Sequence, residues 1–418
     1  MPIVPEDVGE LRRAHGIEVW VQPSDVRVIP DEAYRDVGAC ISDDLSSCPV
    51  VFGVKEMPEA FFETGHTYVF FTHVIKGQPY NMPMLQSLLD RGCQLIDYEK
   101  VTDDQGRRLI FFGHHAGLAG MIDTLWAFGR RLAWEGVESP FSDLRQTHAY
   151  DSLKEAKAAI AAAGERIAEG GLPEAIAPLI CGFAGYGNVF SGANEIIELL
   201  PVEEIEPDQV AEVAQEGTAR DRVYKVVFKE GDIVEPVPPR DAFKLQEYYD
   251  HPDRYRSRFQ TYLPHLSILV NCVYWEEKYP RLVTKEDVLE LYSEDERPRL
   301  RVIGDISCDI EGAIEATVDC TGPGDPVYVY DPFEDESIPG VRGRGPVIMA
   351  VDILPSELPL EASEYFSGVL RDYVPAIAKA DYGVPFEVLD LPDEIKRALI
   401  VHRGELTPDY AYLEEHLS

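Results

Sequence analysis

The sequence predicts an α/β protein of two doubly wound domains with a cleft between them. Three observations predict it. Residues 16–97 alternate short apolar strands with helices, the pattern of parallel strands joined by crossovers. A second apolar strand, at 177–182, runs directly into a glycine cluster and then a helix. The chain has 418 residues, 45% hydrophobic and 27% charged, which is a globular composition with length for two cores.

Taken in order, the strands fall at 16–21, 50–54, 67–73 and 94–97, with helices at 30–39 and 84–91 between them. A long helix is expected over 116–135, small residues early in it suiting close packing, and an Ala-rich amphipathic helix over 151–169. Residues 207–262 are polar and Pro-containing and read as an insertion of two or three elements. Apolar strands return at 266–270, 300–306 and 346–350, and the tail from Glu357 reads as mostly helical, with a helix at 361–374. The resulting division is 1–120 plus 353–418 for a substrate and catalytic domain, and 121–352 for a dinucleotide-binding domain containing the insertion.

Charge and cysteine usage exclude several classes. The 38 basic and 75 acidic residues leave a net charge of −37, which argues against nucleic acid or an anionic membrane as partner. A local cationic cluster can still receive an anionic substrate once salt screens the distant field. No apolar run reaches membrane-spanning length and the first residues lack a secretory pattern, so the cytoplasm is the expected location. The seven cysteines form no CxxC pair, so reduced thiols and no metal site are expected.

The glycine cluster Gly182-Phe183-Ala184-Gly185-Tyr186-Gly187-Asn188-Val189 sits between an apolar strand and a helix. Glycines there let backbone N–H groups approach a pyrophosphate at the helix N-terminus, in the Rossmann-like manner. The spacing is not GxGxxG, and a ligand-free tight turn is the competing reading. A ribose-binding acid is expected about 20 residues further on. Glu203, Glu204 and Glu206 fall near that point, and Glu206 best fits a strand end. A carboxylate there repels a 2′-phosphate and leans towards NAD.

Three strand ends in the first domain carry polar residues that would share one sheet edge: Lys55-Glu56, His73 with Lys76 and Gln78, and Asp97-Tyr98-Glu99. Lys55, His73, Lys76, Arg107 and Arg108 would offset the overall acidity and receive a di- or tricarboxylate. A lysine among cations and a histidine both titrate near neutrality, and Glu56 and Glu99 can hold and tune them. Individually these residues are ordinary surface groups. Recurrence at three successive strand ends favours a site.

These motifs resemble a known family. Gly53-Val54-Lys55-Glu56-Met57-Pro58, Thr72-His73-Val74-Ile75-Lys76-Gly77-Gln78, Ile96-Asp97-Tyr98-Glu99, Asp104-Gln105-Gly106-Arg107-Arg108 and Asp352-Ile353-Leu354-Pro355 are similar to lysine-forming saccharopine dehydrogenase. Gly185-x-Gly187-Asn188-Val189, Tyr274-Trp275, Pro280-Arg281-Leu282 and Asp305-Ile306-Ser307 resemble the lysine–ketoglutarate reductase half of bifunctional aminoadipic semialdehyde synthase. The resemblance implies a two-domain fold related to alanine dehydrogenase and transhydrogenase. It also implies reductive condensation of L-lysine with 2-oxoglutarate to saccharopine. By resemblance, Lys55 is the base, His73 its acid–base partner, and Lys76 and Glu99 tune them. Gln78, Arg108, Phe112, Ser307 and Asp309 face the substrate. Arg107, Gly185, Tyr186, Gly187, Glu206, Tyr274, Ile306, Asp352 and Leu354 line the nucleotide. A homo-oligomer is compatible with the family.

This sequence departs from the pattern in three places. The family begins with a strand and an Arg-containing segment upstream of the equivalent of Ile3-Val4-Pro5, which this sequence does not include. Cys272 matches one member of a cysteine pair in the fungal enzyme and the glycine turn has no other, so no disulfide is expected. The reductase half prefers NADPH whereas Glu206 favours NAD; the resemblance selects NADP(H), with NAD(H) as the alternative. A related amino-acid or opine-type dehydrogenase, and a non-catalytic nucleotide-binding homologue, stay open.

Overall fold

A computed structural model describes residues 1–238 and 242–417. The chain divides into two compact units, Met1–Phe111 with Pro359–Ser418 and Phe112–Leu358, called unit 1 and unit 2 below. The divisions fall at 111/112 and 358/359. The helix Gly113–Trp134 packs within unit 2 from its first turns, where a Cβ on Gly117 would lie 1.9 Å from the Val189 carbonyl oxygen.

Unit 1 is built on a five-stranded sheet. Its parallel strands are β1 (Val50–Phe52), β2 (Thr67–Phe70) and β3 (Gln94–Asp97), in register Phe52↔Val69 and Phe70↔Asp97. β2 and β3 are buried along their whole length, as strands covered on both faces should be, including the polar Gln94 and Asp97 at the ends of β3. The segment read as a strand over 16–21 contributes only Trp20–Val21, paired in parallel with Cys40–Ile41 in a separate two-stranded piece.

Unit 2 carries an eight-stranded sheet. Its strands are β4 (Leu179–Ala184), β5 (Val202–Ile205), β6 (Val223–Phe228), β7 (Ile268–Asn271), β8 (Val302–Asp305), β9 (Val327–Asp331), β10 (Glu336–Pro339) and β11 (Val347–Met349). The order is β10-β9-β11-β8-β7-β4-β6-β5, parallel except for β9, which runs antiparallel to both β10 and β11. β4 is flanked by β6 on one side and β7 on the other, so the connections reverse direction there. That reversal is the place where open parallel sheets bind ligands at their carboxyl edge.

One sequence expectation needs correction and another needs an addition. Residues 207–262 are not simply an insertion, because β6 lies inside the sheet between β4 and β5 and is buried at all but Val227. Charged neighbours disguise it, and Lys225 within it is only 4% exposed, neutralised by Glu198 at 2.5 Å and Glu204 at 2.8 Å. The tail is mostly helical, as expected, but two short strands lie within it. β12 (Leu399–His402) pairs antiparallel with β3 and, with β13 (Glu405–Leu406), completes the sheet of unit 1. The helix expected at 361–374 is Pro359–Leu370 followed by Val374–Lys379.

The helix Gly113–Trp134 buries an acid in unit 2. Asp123, fully buried, accepts hydrogen bonds from Thr147 N (2.7 Å) and Thr147 Oγ1 (3.0 Å). The side chain of Glu357 is 0% exposed, with His148 Nδ1 3.6 Å from one of its oxygens. Burial, and then the neighbouring Asp123 charge, pushes the Glu357 carboxyl up to about 9. Burial raises Asp123 as well. The two carboxyls therefore hold a proton between them at neutral pH.

Candidate active site

In unit 1 the parallel strands deliver their following residues to one edge. The turn after β1 carries Lys55 and Glu56, the loop after β2 carries His73, and Glu99 follows β3. Glu56 Oε1 and His73 Nδ1 are hydrogen-bonded. Burial acts to raise the Glu56 carboxyl, but the hydrogen bond and charge of His73 outweigh it and hold Glu56 below its usual value.

The backbone of His73 has φ 50, a left-handed conformation rare outside glycine and costly for a bulky residue. Its surroundings hold it there. Asn81 Nδ2 donates to the carbonyls of both Thr72 and His73 at 3.2 Å. Thr72, fully buried, donates to Asp97 Oδ2, and Asp97 Oδ1 accepts the Glu99 N–H at 2.8 Å. Burial raises the Asp97 carboxyl to about 6 despite these bonds. At the far side of the loop, Tyr412 donates to the Ile75 carbonyl at 2.6 Å. Gly77, at φ 65, leaves room for the His416 ring, which a Cβ would meet at 2.5 Å. The C-terminal segment thus straps the loop that carries His73.

The other unit 1 candidates are distributed around this pair. Lys55 and Lys76 are exposed. Gln78 is half-buried, and among the described residues its Oε1 is buried without a hydrogen-bond partner. Arg108 pairs with Glu99 at 3.3 Å and lies over the Phe111 ring at 5.4 Å. A cavity of about 980 Å³ has Lys55 and Glu56 on its lining, with Arg27 and Lys379, two cations the sequence reading did not single out. Arg27 is already paired with Asp31. Arg107, expected at the nucleotide, lies in unit 1, tied to Asp103 at 2.7 Å and Gln105 at 3.1 Å.

In unit 2 the glycine turn has the form of an anion cradle. Gly185 (φ 92) donates its N–H to the Phe228 carbonyl at 3.1 Å, and a Cβ there would lie 3.0 Å from Cys272 O. A Cβ on Gly187 meets nothing within 4 Å, so the turn is open on that side. The helix Asn188–Ile197 starts at once and is fixed by its crossing with Gly113–Trp134. This combination of positive-φ glycine, open backbone and helix start fits a dinucleotide pyrophosphate.

Parallel register brings further candidates to the same edge. Tyr274, 78% exposed, follows β7, Ser307 and Asp309 follow β8, and the exposed Asp352 follows β11. Ile306 and Leu354 are 5% and 1% exposed and pack towards Gly120, so their side chains belong to the core and only their backbone can face a nucleotide. Phe112 is half-buried at the start of Gly113–Trp134. Glu206 does follow a strand, but β5 is the outermost strand of the sheet and β6 separates it from β4.

Residues 1–119 match the family described as alanine dehydrogenase/PNT, N-terminal domain. The fold of the whole chain is similar to that of an L-alanine dehydrogenase, with a TM-score of 0.62 and 16% identity over 100% of this chain and 96% of that one. An α-aminoadipic semialdehyde synthase of Arabidopsis thaliana is 39% identical over 94% of this chain and 38% of its own length. A saccharopine dehydrogenase (NAD(+), L-lysine-forming) of Yarrowia lipolytica is 27% identical over 85% of this chain and 82% of its own length. The chain spans less than half the length of the aminoadipic semialdehyde synthases it matches. The two-unit α/β architecture with parallel sheets agrees with the fold class read from the sequence. Among the described residues no helix is long and apolar enough to cross a membrane, and no group of three His, Cys, Asp or Glu is placed to hold a metal ion.

Proposed function

We propose that this chain is a nicotinamide-dependent dehydrogenase that condenses L-lysine with 2-oxoglutarate to saccharopine, or runs that reaction in reverse. The observation that carries the reading is the Glu56–His73 pair, held on a strained backbone beside Lys55. Strain of this kind persists where the surroundings over-determine it, and it clusters at functional sites. The similarity to saccharopine dehydrogenases over most of the chain supports the same chemistry.

The lysine ε-ammonium must lose a proton before its nitrogen attacks the keto carbon, and the departing hydroxyl must gain one as the imine forms. With Nδ1 of His73 engaged by Glu56, Nε2 is the atom that exchanges these protons. Lys55, exposed at the neighbouring strand end, is the second proton carrier, with Lys76 and Glu99 tuning the pair. Arg108, steadied by Glu99 and Phe111, offers its guanidinium to a carboxylate. Gln78 Oε1 is a buried acceptor suited to an amino group. Within unit 2, Phe112, Ser307 and Asp309 are substrate-facing by resemblance alone. Gly185, Tyr186 and Gly187 hold the dinucleotide, with Tyr274 and Asp352 at the same sheet edge. When bound, the nicotinamide supplies the hydride that reduces the imine carbon.

The resemblance alone favours NADPH, and the strand ends of unit 2 weigh the other way. The seven free thiols suit a reducing compartment such as the cytoplasm. The test follows the absorbance of reduced nicotinamide with lysine, 2-oxoglutarate, or both. Consumption is expected only with both, and falls when ornithine replaces lysine or pyruvate replaces 2-oxoglutarate. No consumption of NADH or NADPH with both substrates present refutes the reading.

A further inference from the structure

We infer that Glu230, two residues beyond β6, is the group that takes the adenosine ribose, and that it makes unit 2 select a dinucleotide with a free 2′-hydroxyl over one with a 2′-phosphate. The inference rests on the reading of unit 2 as a nicotinamide dinucleotide domain and adds the specificity of that site.

Sheet order is the first ground. In a doubly wound sheet the ribose meets the carboxyl end of the strand beside the one that enters the glycine turn. Here that neighbour is β6, with Ala184 opposite Phe228 in register and the Gly185 N–H on the Phe228 carbonyl. β5 pairs with β6 alone and ends at Ile205 opposite Val226. Strands lie about 5 Å apart, so Glu206 follows a strand displaced by roughly 10 Å from β4. Spacing along the sequence selects Glu206, but the sheet selects the residues after Phe228, which are Lys229 and Glu230.

The second ground is what Glu230 touches. The Tyr186 hydroxyl, from the glycine turn itself, lies 3.2 Å from Oε1 and 3.0 Å from Oε2. The Tyr249 hydroxyl donates to Oε1 at 2.7 Å. Each tyrosine has one proton to give, so the carboxylate is fixed at the turn and keeps lone pairs for ribose hydroxyls. Tyr186 and Tyr249 are 49% and 42% exposed, so their rings remain open to a flat base. Burial, then the hydrogen bond to Glu230 and its charge, raises the Tyr186 hydroxyl, which therefore stays a donor at neutral pH. A 2′-phosphate here would bring like charge against a carboxylate that two tyrosines prevent from turning away. The adjacent Lys229 is exposed, and its N–H is bonded to another acid, Asp232, at 2.9 Å.

The experiment titrates the whole chain with NAD+ and with NADP+ by calorimetry. NAD+ is expected to bind at least about tenfold more tightly, the scale of one like-charge contact at a partly exposed position. In Glu230→Gln, checked for folding by circular dichroism, NAD+ binding weakens and the two affinities converge. Equal or tighter binding of NADP+ by the unchanged chain overturns the inference while leaving the dinucleotide reading intact. So does discrimination that survives Glu230→Gln and is lost in Glu206→Gln. Failure of both dinucleotides to bind overturns this inference and the reading of unit 2 together.

Discussion

Replacing Glu357 by glutamine should stabilise the protein at neutral and alkaline pH, and by an amount that grows with pH. The carboxyl is raised from 4.5 to about 9 by burial and by Asp123. Its side chain is 0% exposed, so solvent does little to screen the effect. Between those two values the folded state holds a proton that the unfolded state has released. Stability is then full below pH 4.5 and is lost as pH rises towards 9, at about 1.4 kcal/mol per pH unit. Over the 2.5 units from 4.5 to 7 the loss is about 3 kcal/mol. Glutamine keeps an N–H donor for Asp123 without needing the proton, so most of that loss disappears. Urea unfolding followed by tryptophan fluorescence is the assay, because Trp126, Trp134 and Trp275 all lie in unit 2. The two proteins should be similar near pH 5 and separate progressively up to pH 8. A difference that does not change with pH, or a glutamine variant that is less stable at pH 8, refutes the shared-proton account.

Other outcomes follow from the site. His73→Gln should lower turnover by roughly 10²- to 10⁴-fold, the worth of one general acid–base group, while the dinucleotide affinity of unit 2 stays within experimental error. Asn81→Ala removes the donor to two carbonyls at the His73 loop and should cost about 1–3 kcal/mol in urea unfolding, with kcat falling before the fold is lost. Thr72→Val leaves the buried Asp97 short of a donor and should lower stability most above pH 6, where that carboxyl is ionised. Gly192→Ala would set a Cβ 2.0 Å from the His114 carbonyl oxygen. Because the obstacle is backbone, a loss of about 3 kcal/mol and a lower Tm are expected.

The parts of the fold that were legible in the sequence are those whose pattern follows from burial alone. β2 is covered on both faces and stands out as a largely apolar run, and the glycine turn is marked by the strand before it and the helix after it. β6 was obscured because its buried Lys225 is neutralised by Glu198 and Glu204, acids whose nearness no linear spacing reveals. β12 escapes a sequence reading because three apolar residues in a helical tail do not announce a partner some 300 positions earlier. At the site, residue types at strand ends pointed to Lys55, Glu56 and His73. The left-handed backbone of His73 and its support by Asn81 left no mark in the sequence, since both depend on the folded loop. Glu206 and Glu230 are indistinguishable as strand-end acids until the order of strands in space is known.

The strap over the His73 loop also bears on how the chain is made. Unit 2 is one continuous stretch, 112–358, and can close its sheet while synthesis proceeds. Unit 1 cannot. Its third strand waits for β12, and the loop carrying the proposed proton carrier waits for Tyr412 and His416. The ribosome therefore delivers the proposed nucleotide-binding unit first, and the proposed catalytic loop takes its final form only when Tyr412 and His416 have emerged. On the proposed function, a chain interrupted late in translation would keep the proposed dinucleotide site while its proposed acid–base loop stayed unfinished.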